Sequence, residues 1–423
     1  MQTTLAPQYE HSLLAKTGQD VLRQCVHCGF CTATCPTYQL LGDELDGPRG
    51  RIYLIRQVLQ GETPTRSTQE HLDRCLTCRS CESTCPSGVQ YGHLLDVGRA
   101  LVDAQVARPW ATRALRSLLV YFLPSVLFAP AYRLGQWLRP ILPQALKAKV
   151  QARSSATPRV SLAPIAASPL AGQRVLLLQG CVQPTLLPGI DAATRRVLTA
   201  LGMEVITPQD AGCCAALAQH LGHHERALVQ MKRNIDAWWP YLEAGVQSVI
   251  SNASGCGVMV KDYGHVLKDD PLYADKARTI SAQCQDLSEM LPSWVPHLKP
   301  QLQPQRLLDA GPMVFHPPCT LQHGQKITGV VEAALKDLGF HLTSAPQDAH
   351  LCCGSAGTYS VLEPVLSHAL QNRKLQHLMA RSPAHILSAN VGCITHLQEK
   401  SPVPVKHWIE ALDAALATSQ ASA

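Results

Sequence analysis

Cysteines are the residues in this sequence whose spacing first points to chemistry. Cys25, Cys28, Cys31 and Cys35 form a C-x2-C-x2-C-x3-C run closed by Pro36, and Cys75, Cys78, Cys81 and Cys85 repeat it, closed by Pro86. Three thiolates spaced by two residues wrap a short loop around one face of an iron–sulfur cubane. The fourth cysteine has already left that loop. The proline after it turns the chain away and removes an amide that would need a partner. Structural zinc also takes four cysteines, usually as two C-x2-C pairs. Zinc explains neither four cysteines in one run nor the proline, and it leaves the duplication unaccounted for. The spacing therefore predicts two [4Fe-4S] clusters on these eight residues. Gly29 reads as room for the loop backbone beside sulfide, and His27 as a solvated loop residue.

Nine further cysteines follow, of the seventeen in the chain. Cys181, Cys213, Cys214 and Cys256 are answered by Cys319, Cys352, Cys353 and Cys393, at offsets of 137 to 139 residues. Four matched positions at a near-constant offset mark a duplicated domain. Only Cys284 is left over, and a lone cysteine reads as a small buried hydrophobe. Adjacent cysteines rarely bridge each other, and a reducing cytosol disfavours disulfides. Inert core thiols would not explain the duplication. The eight are a second set of candidate metal or redox residues, suited to a further cluster, a zinc ion or a reactive dithiol. His316 and His323 flank Cys319, and His350 precedes Cys352. Each reads first as a backbone hydrogen-bonding residue, with ligation or proton transfer as the alternative. Arg49 and Arg51 read either as structural residues at a helix start or as a dock for an acidic partner.

The elements that must hold these cysteines follow from the pattern around them. Ile52, Leu54, Ile55, Val58 and Leu59 recur at helical spacing before Gly61, "TQEHLDRC" delivers the second run, and "VQYGHLLDVGRALVDAQVA" is amphipathic. Residues 1–108 are thus expected to form a mostly helical two-cluster domain. Residues 109–172 are an apolar helical segment and a linker rich in Ala, Ser and Pro. Its part "SLLVYFLPSVLFAPAYRLGQWLRPILPQAL" is broken by Pro124, Pro130, Pro140 and Pro143, too short and broken to span a bilayer. A buried helical pair packed on the cluster domain is the first reading of it. A partner-docking face and a peripheral membrane contact are the alternatives. The two repeats, 173–300 and 311–415, share one grammar: a strand ending near a cysteine, a helix, a second strand before the Cys-Cys pair, then a helix, a strand and the last cysteine. Such alternation means a parallel α/β sheet, whose C-terminal strand edge gathers ligands. The fold class is α/β overall, with the helical domain ahead of two Rossmann-like repeats.

Composition narrows the function. With 46% hydrophobic and 16% charged residues, the chain can build a core in every domain. A net charge of +6, without a basic run interleaved with aromatics, gives no nucleic-acid signature. The first twenty residues lack the pattern of a secretory signal, so a cytoplasmic location is expected, with peripheral contact on the cytoplasmic face of the inner membrane as an extension. No G-x-G-x-x-G follows a strand and no Walker motif occurs, so flavin and nucleotide are expected on other chains.

Two resemblances sharpen this. The doubled run resembles that of bacterial two-cluster ferredoxins, which implies cross-ligation: Cys25, Cys28 and Cys31 with Cys85, and Cys75, Cys78 and Cys81 with Cys35. "GCC" at 212–214 and "CCG" at 352–354 resemble the cysteine-rich CCG domains of heterodisulfide reductase, anaerobic glycerol-3-phosphate dehydrogenase and lactate-utilisation proteins. "CVHCGFCTATCPTYQLLGDELDGPRGRIYLI", "NIDAWWP", "SGCG", "CTLQHGQK" and "LCCGSAGTY" look closely like the iron–sulfur subunits of bacterial glycolate oxidase. That resemblance implies electron transfer from FAD-containing partner subunits of a hetero-oligomer, which oxidise glycolate to glyoxylate, toward the membrane quinone pool. It implies no catalytic residue here. Subunits of lactate or glycerol-3-phosphate dehydrogenase complexes, and a CCG-type thiol–disulfide reductase subunit, are the alternatives. CCG domains with non-cubane clusters close with C-x-x-C. Here Ala253 and Asn390 stand where the first of those cysteines would be, and Ala215 replaces the glycine of repeat one.

Overall fold

The computed structural model describes residues 1–143 and 168–416, together with Lys147, Lys149, Val150, Leu162 and Ile165. Most of the Ala/Ser/Pro-rich linker read from the sequence lies outside the described residues. The N-terminal part is helical, with principal helices at Leu13–Gln24, Pro48–Leu59, Arg66–Asp73 and Tyr91–Gln105. Their starts follow local chemistry. The Ser12 side chain accepts from the Ala15 amide, Pro48 sits in the first turn of its helix, and Thr65 and Thr68 cap each other reciprocally. The helices bury Leu22, Ile55, Leu59, Leu72 and Leu94 as one core. Gly98 makes the closest crossing. A Cβ there would lie 2.5 Å from Ile55 Cγ1, so only glycine lets the two helices approach.

Each repeat is a four-stranded, all-parallel sheet. The first comprises β1 (Arg174–Leu177), β2 (Glu204–Ile206), β3 (Ser248–Ser251) and β4 (Cys284–Asp286), in the order β2-β1-β3-β4. The second comprises β5 (Met313–Phe315), β6 (Leu342–Ser344), β7 (His385–Ser388) and β8 (Val405–His407), in the order β6-β5-β7-β8. The identical strand order is what the cysteine offsets predict. The fourth strands, β4 and β8, are additions the sequence pattern did not reveal. They lie beyond the fourth matched cysteine of each repeat, outside the pattern that the cysteines marked.

The repeats lock edge to edge. The Ser254 amide donates to Ala389 O at 3.1 Å, and the Gly255 amide to Asn390 Oδ1 at 3.3 Å. The Arg196 guanidinium grips the Asp413 carboxylate at 2.9 and 2.6 Å. One apolar core runs through both, from Val175, Ile250 and Trp294 to Phe315, Ile386 and Trp408.

The middle segment departs from its first reading. It forms helices Trp110–Phe122 and Phe128–Leu138, but these bury little: Arg116, Val120, Phe128 and Tyr132. Val120 joins the core of repeat one, not that of the cluster domain. Trp110 is 77% exposed, Val126 89% and Trp137 72%. Pro124 falls between the two helices and Pro140 just past the second, and each short helix can seat only one narrow stripe.

Candidate metal centres

The two cysteine runs fold as loops of matching backbone. His27 and Gly29 in the first, and Thr77 and Arg79 in the second, take left-handed conformations between successive cysteines. Such turns make the concave backbone nests that receive anionic groups, iron–sulfur clusters among them. Arg79 occupies the place of Gly29, so the position tolerates a side chain. A Cβ at Gly29 would meet Arg49 Nη1 at 2.7 Å, so the crowding comes from that guanidinium. The reading of Gly29 as clearance for sulfide is corrected accordingly.

Two adjoining cavities result. Cys25, Cys28, Cys31 and Cys85 line the first. Cys35, Cys75, Cys78 and Cys81 line the second. Pro48, Cys81 and Tyr91 border both and form the wall between them. Within each quartet no three thiols converge within 4.8 Å of one another. The sulfurs are spread around a space, as a polynuclear cluster requires and a single ion does not. The donor set fits [4Fe-4S] in each cavity.

Polar groups point at these sulfurs. Tyr91 O–H donates to Cys75 Sγ at 3.8 Å, the Thr77 amide to the same sulfur at 3.5 Å, and Thr37 Oγ1 lies 3.3 Å from Cys35 Sγ. Arg51 borders the second cavity and is 1% exposed. It donates to His71 O at 2.7 Å and pairs with Asp46 at 3.4 Å. Asp46 also binds Arg74 at 2.9 Å. The docking reading of Arg51 therefore falls, because a buried guanidinium cannot meet a partner. It offsets the negative charge that thiolates bring to a dry site. Arg49 borders the first cavity and pairs with Glu44 at 2.7 Å. Burial pushes the Cys78 and Cys81 thiols well up and Cys31 up to about 11. These thiols hold their protons at neutral pH until a metal displaces them.

The cavities differ in access. Cys28 is exposed at the first, between Val26 at 68% and Phe30 at 61% exposure. The second is covered by repeat two: Cys78 and Leu76 pack against Cys319, Cys352, Tyr359 and Leu370. Tyr359 O–H donates to Arg74 O at 3.0 Å, and Ser83 Oγ bonds His323 Nδ1 at 2.9 Å. Repeat one holds the other side through the Arg79–Asp262 ion pair and a His93–His265 stack with ring centroids 3.6 Å apart.

The eight later cysteines also converge, repeat by repeat. In the first, the free thiols of Cys181, Cys213, Cys214 and Cys256 neighbour one another in that order. In the second, Cys319 donates to Cys352 at 3.8 Å, with Cys353 and Cys393 continuing the series. The Cys-Cys pairs sit in loops beyond β2 and β6, whereas Cys256 and Cys393 lie in the first turns of helices Ser254–Lys261 and Val391–Gln398. Cys284 is buried in the core of repeat one. His323 Nε2 meets His350 O at 2.8 Å, the backbone-bonding role expected of it. Lys374, 2% exposed beside the second set, was not anticipated. It lies on a helix whose polar residues gave no sign of facing inward.

Comparison with known proteins agrees with this layout. Residues 21–89 match the model of the 4Fe-4S dicluster domain, and residues 175–261 and 313–398 each match that of the cysteine-rich domain. The chain is 50% identical to the glycolate oxidase iron-sulfur subunit of Escherichia coli (strain K12), over 98% of this chain and 99% of that protein. It is 28% identical to the probable glycolate oxidase iron-sulfur subunit of Bacillus subtilis (strain 168), covering 92% and 91%. Lactate utilization protein A of Exiguobacterium sp. is 26% identical over 56% of this chain and 96% of its own length.

Proposed function

This chain belongs to the family of glycolate oxidase iron–sulfur subunits, and from that premise we propose that it carries electrons for a flavin-dependent complex oxidising glycolate to glyoxylate, toward the membrane quinone pool. The supporting observation is the pair of four-thiol cavities sharing one wall, the first with Cys28 exposed and the second with all four cysteines buried. One cluster is assigned to Cys25, Cys28, Cys31 and Cys85, the other to Cys35, Cys75, Cys78 and Cys81. When bound, each supplies one-electron chemistry, so together they divide the pair that a hydroxyacid releases. The residues of the chain do the rest. Tyr91 and the Thr77 amide direct hydrogen bonds at Cys75 Sγ, which sets potential. Repeat two keeps water from the inner site. Val26 and Phe30 frame the opening at Cys28 where an FAD-bearing subunit docks.

The test is anaerobic reconstitution of the flavoprotein partners with and without this chain, using a soluble quinone analogue. Glycolate should still reduce the flavin without it, while quinone reduction should require it. Equal quinone reduction in its absence would end the proposal. Lactate and glycerol 3-phosphate in the same assay decide among the related complexes.

The exposed face of Trp110–Leu138 supports a peripheral membrane contact. No acidic residue occurs between Asp103 and Asp191, while Arg113, Arg133 and Arg139 accompany the exposed Trp110, Leu118, Leu127 and Trp137. Exposed indoles beside arginines suit the interface of an anionic bilayer. No helix among the described residues is long and apolar enough to cross a membrane. Trp110→Ser with Trp137→Ser should weaken sedimentation with anionic vesicles about tenfold or more, since burying one such ring contributes about 1.5–3 kcal/mol. Both residues are exposed, so folding should be untouched. Unchanged binding would place the contact elsewhere.

A further inference from the structure

The two repeats are not equivalent. At matching places after their first strands stand Leu178 and His316. Their backbones do the same thing: the Leu178 amide donates to Ile250 O at 2.9 Å, and the His316 amide to Leu387 O at 2.8 Å. Leu178 packs in an apolar core with Cys214. His316, 1% exposed, stands beside the matching Cys353, and neither of its ring nitrogens has a hydrogen-bond partner. An imidazole buried with no partner costs roughly 1–3 kcal/mol, a cost leucine avoids in the sister repeat. A ligand explains it, because a metal takes up a nitrogen that hydrogen bonds have left free.

The sulfurs agree. A ring nitrogen of His316 and the sulfurs of Cys353 and Cys393 all lie within 4.8 Å of one another. Among the described residues, no other cysteine belongs to such a group. In tetrahedral zinc sites, with Zn–S near 2.3 Å and Zn–N about 2.0–2.1 Å, ligand atoms stand roughly 3.5–3.8 Å apart. Cys319 and Cys352 stand 3.8 Å apart in the same repeat, outside that group of three. The close group suits one ion and is too tight for a cubane, with the fourth ligand to be drawn from that pair. Donors already face the thiolate positions: the Gly354 amide at 3.4 Å from Cys352 Sγ and Asn390 Nδ2 at 3.7 Å from Cys393 Sγ. Lys374, 2% exposed in the same repeat with its Nζ donating to Asp348 O and Ala349 O, supplies the one positive charge that offsets the net −1 of a zinc ion with three thiolates and a neutral imidazole.

We infer that the second repeat holds one zinc ion on Cys353, Cys393 and His316, with the fourth ligand from the Cys319–Cys352 pair, while the first repeat has no such site. Binding releases the thiol protons and needs no oxidant or reductant. The inference stands apart from the electron path, because its readout is zinc and not turnover.

The experiment is anaerobic purification of the full chain with its partners, metal analysis, and X-ray absorption at the zinc edge. One zinc per polypeptide in a shell of three sulfurs and one nitrogen is expected. His316→Leu copies the sister repeat and should fold. Its zinc should be lost to a chelator at least tenfold more readily, with iron content unchanged. His316→Cys should restore retention and exchange the nitrogen for a fourth sulfur. Absence of zinc from the wild-type chain, a shell of sulfur alone, or wild-type retention by His316→Leu would each overturn the inference.

Discussion

Replacing Cys35 and Cys75 together by alanine should remove about four irons per polypeptide and leave one [4Fe-4S] cluster intact, whereas replacing Cys25 and Cys35 together should damage both clusters and leave neither intact. The second pair comes from a single run, so intuition assigns it to a single cluster. The cavities say otherwise. Cys35 lines the space built by Cys75, Cys78 and Cys81, while Cys25 lines the one completed by Cys85. Removing two ligands from one cavity empties it, and removing one from each damages both. Double variants matter here because a site with three thiolates left can keep a smaller cluster. Iron and acid-labile sulfide per chain, with the EPR spectra of the reduced and oxidised chain, are the measurement. An intact [4Fe-4S] cluster in the Cys25 and Cys35 variant, with both clusters damaged in the Cys35 and Cys75 variant, would mean that each run keeps its own cluster. Iron bound elsewhere in the chain does not affect the comparison, since both variants leave the repeats intact.

The second large effect is conformational. Gly354 and Ala215 follow the two Cys-Cys pairs, and both are left-handed, at φ +89° and +74°. At Gly354 a Cβ would sit 2.4 Å from Ser367 O. Gly354→Ala therefore meets backbone strain and a clash together, and should cost about 3 kcal/mol or more. That corresponds to a fall of roughly 6 °C or more in Tm for a domain of this size. Ala215→Gly should act in the opposite direction, relieving about 1–2 kcal/mol. Thermal unfolding of the metal-loaded chain checks both. A Gly354→Ala chain as stable as its parent would show that the Ser367 carbonyl moves aside freely.

The contrast between these two positions shows what the sequence discloses. The substitution of Ala215 for glycine was legible as a departure from the family pattern. That it keeps the left-handed conformation was not, because the tolerance depends on what lies opposite. The two cysteine-bearing domain types were legible, since thiolate spacing is itself the chemistry. The helices around them were legible from apolar periodicity, as in Pro48–Leu59. Strands β4 and β8 were not, because they follow the last matched cysteine of each repeat and no motif marks them. For Arg51 the structural and docking readings stood side by side, and only the structural one holds, because a basic residue near a helix start gives no hint of burial. The apolar middle segment was misjudged for the converse reason: hydrophobic composition predicts burial, yet Trp110 and Trp137 face outward. His316 was visible only as a histidine near a cysteine. Its significance came from the sister position, where leucine holds the same backbone.

The cover that repeat two places over Cys78 also imposes an order in time. A cofactor built from many atoms cannot slip past Tyr359 and Leu370 once those side chains have closed on Leu76 and Cys78. The inner cluster must be installed while the N-terminal helices stand free of the repeats. The outer one, reached beside the exposed Cys28, can follow later. Maturation of this chain is therefore a sequence of events, in which premature closure leaves a folded protein that no donor of iron and sulfide can repair.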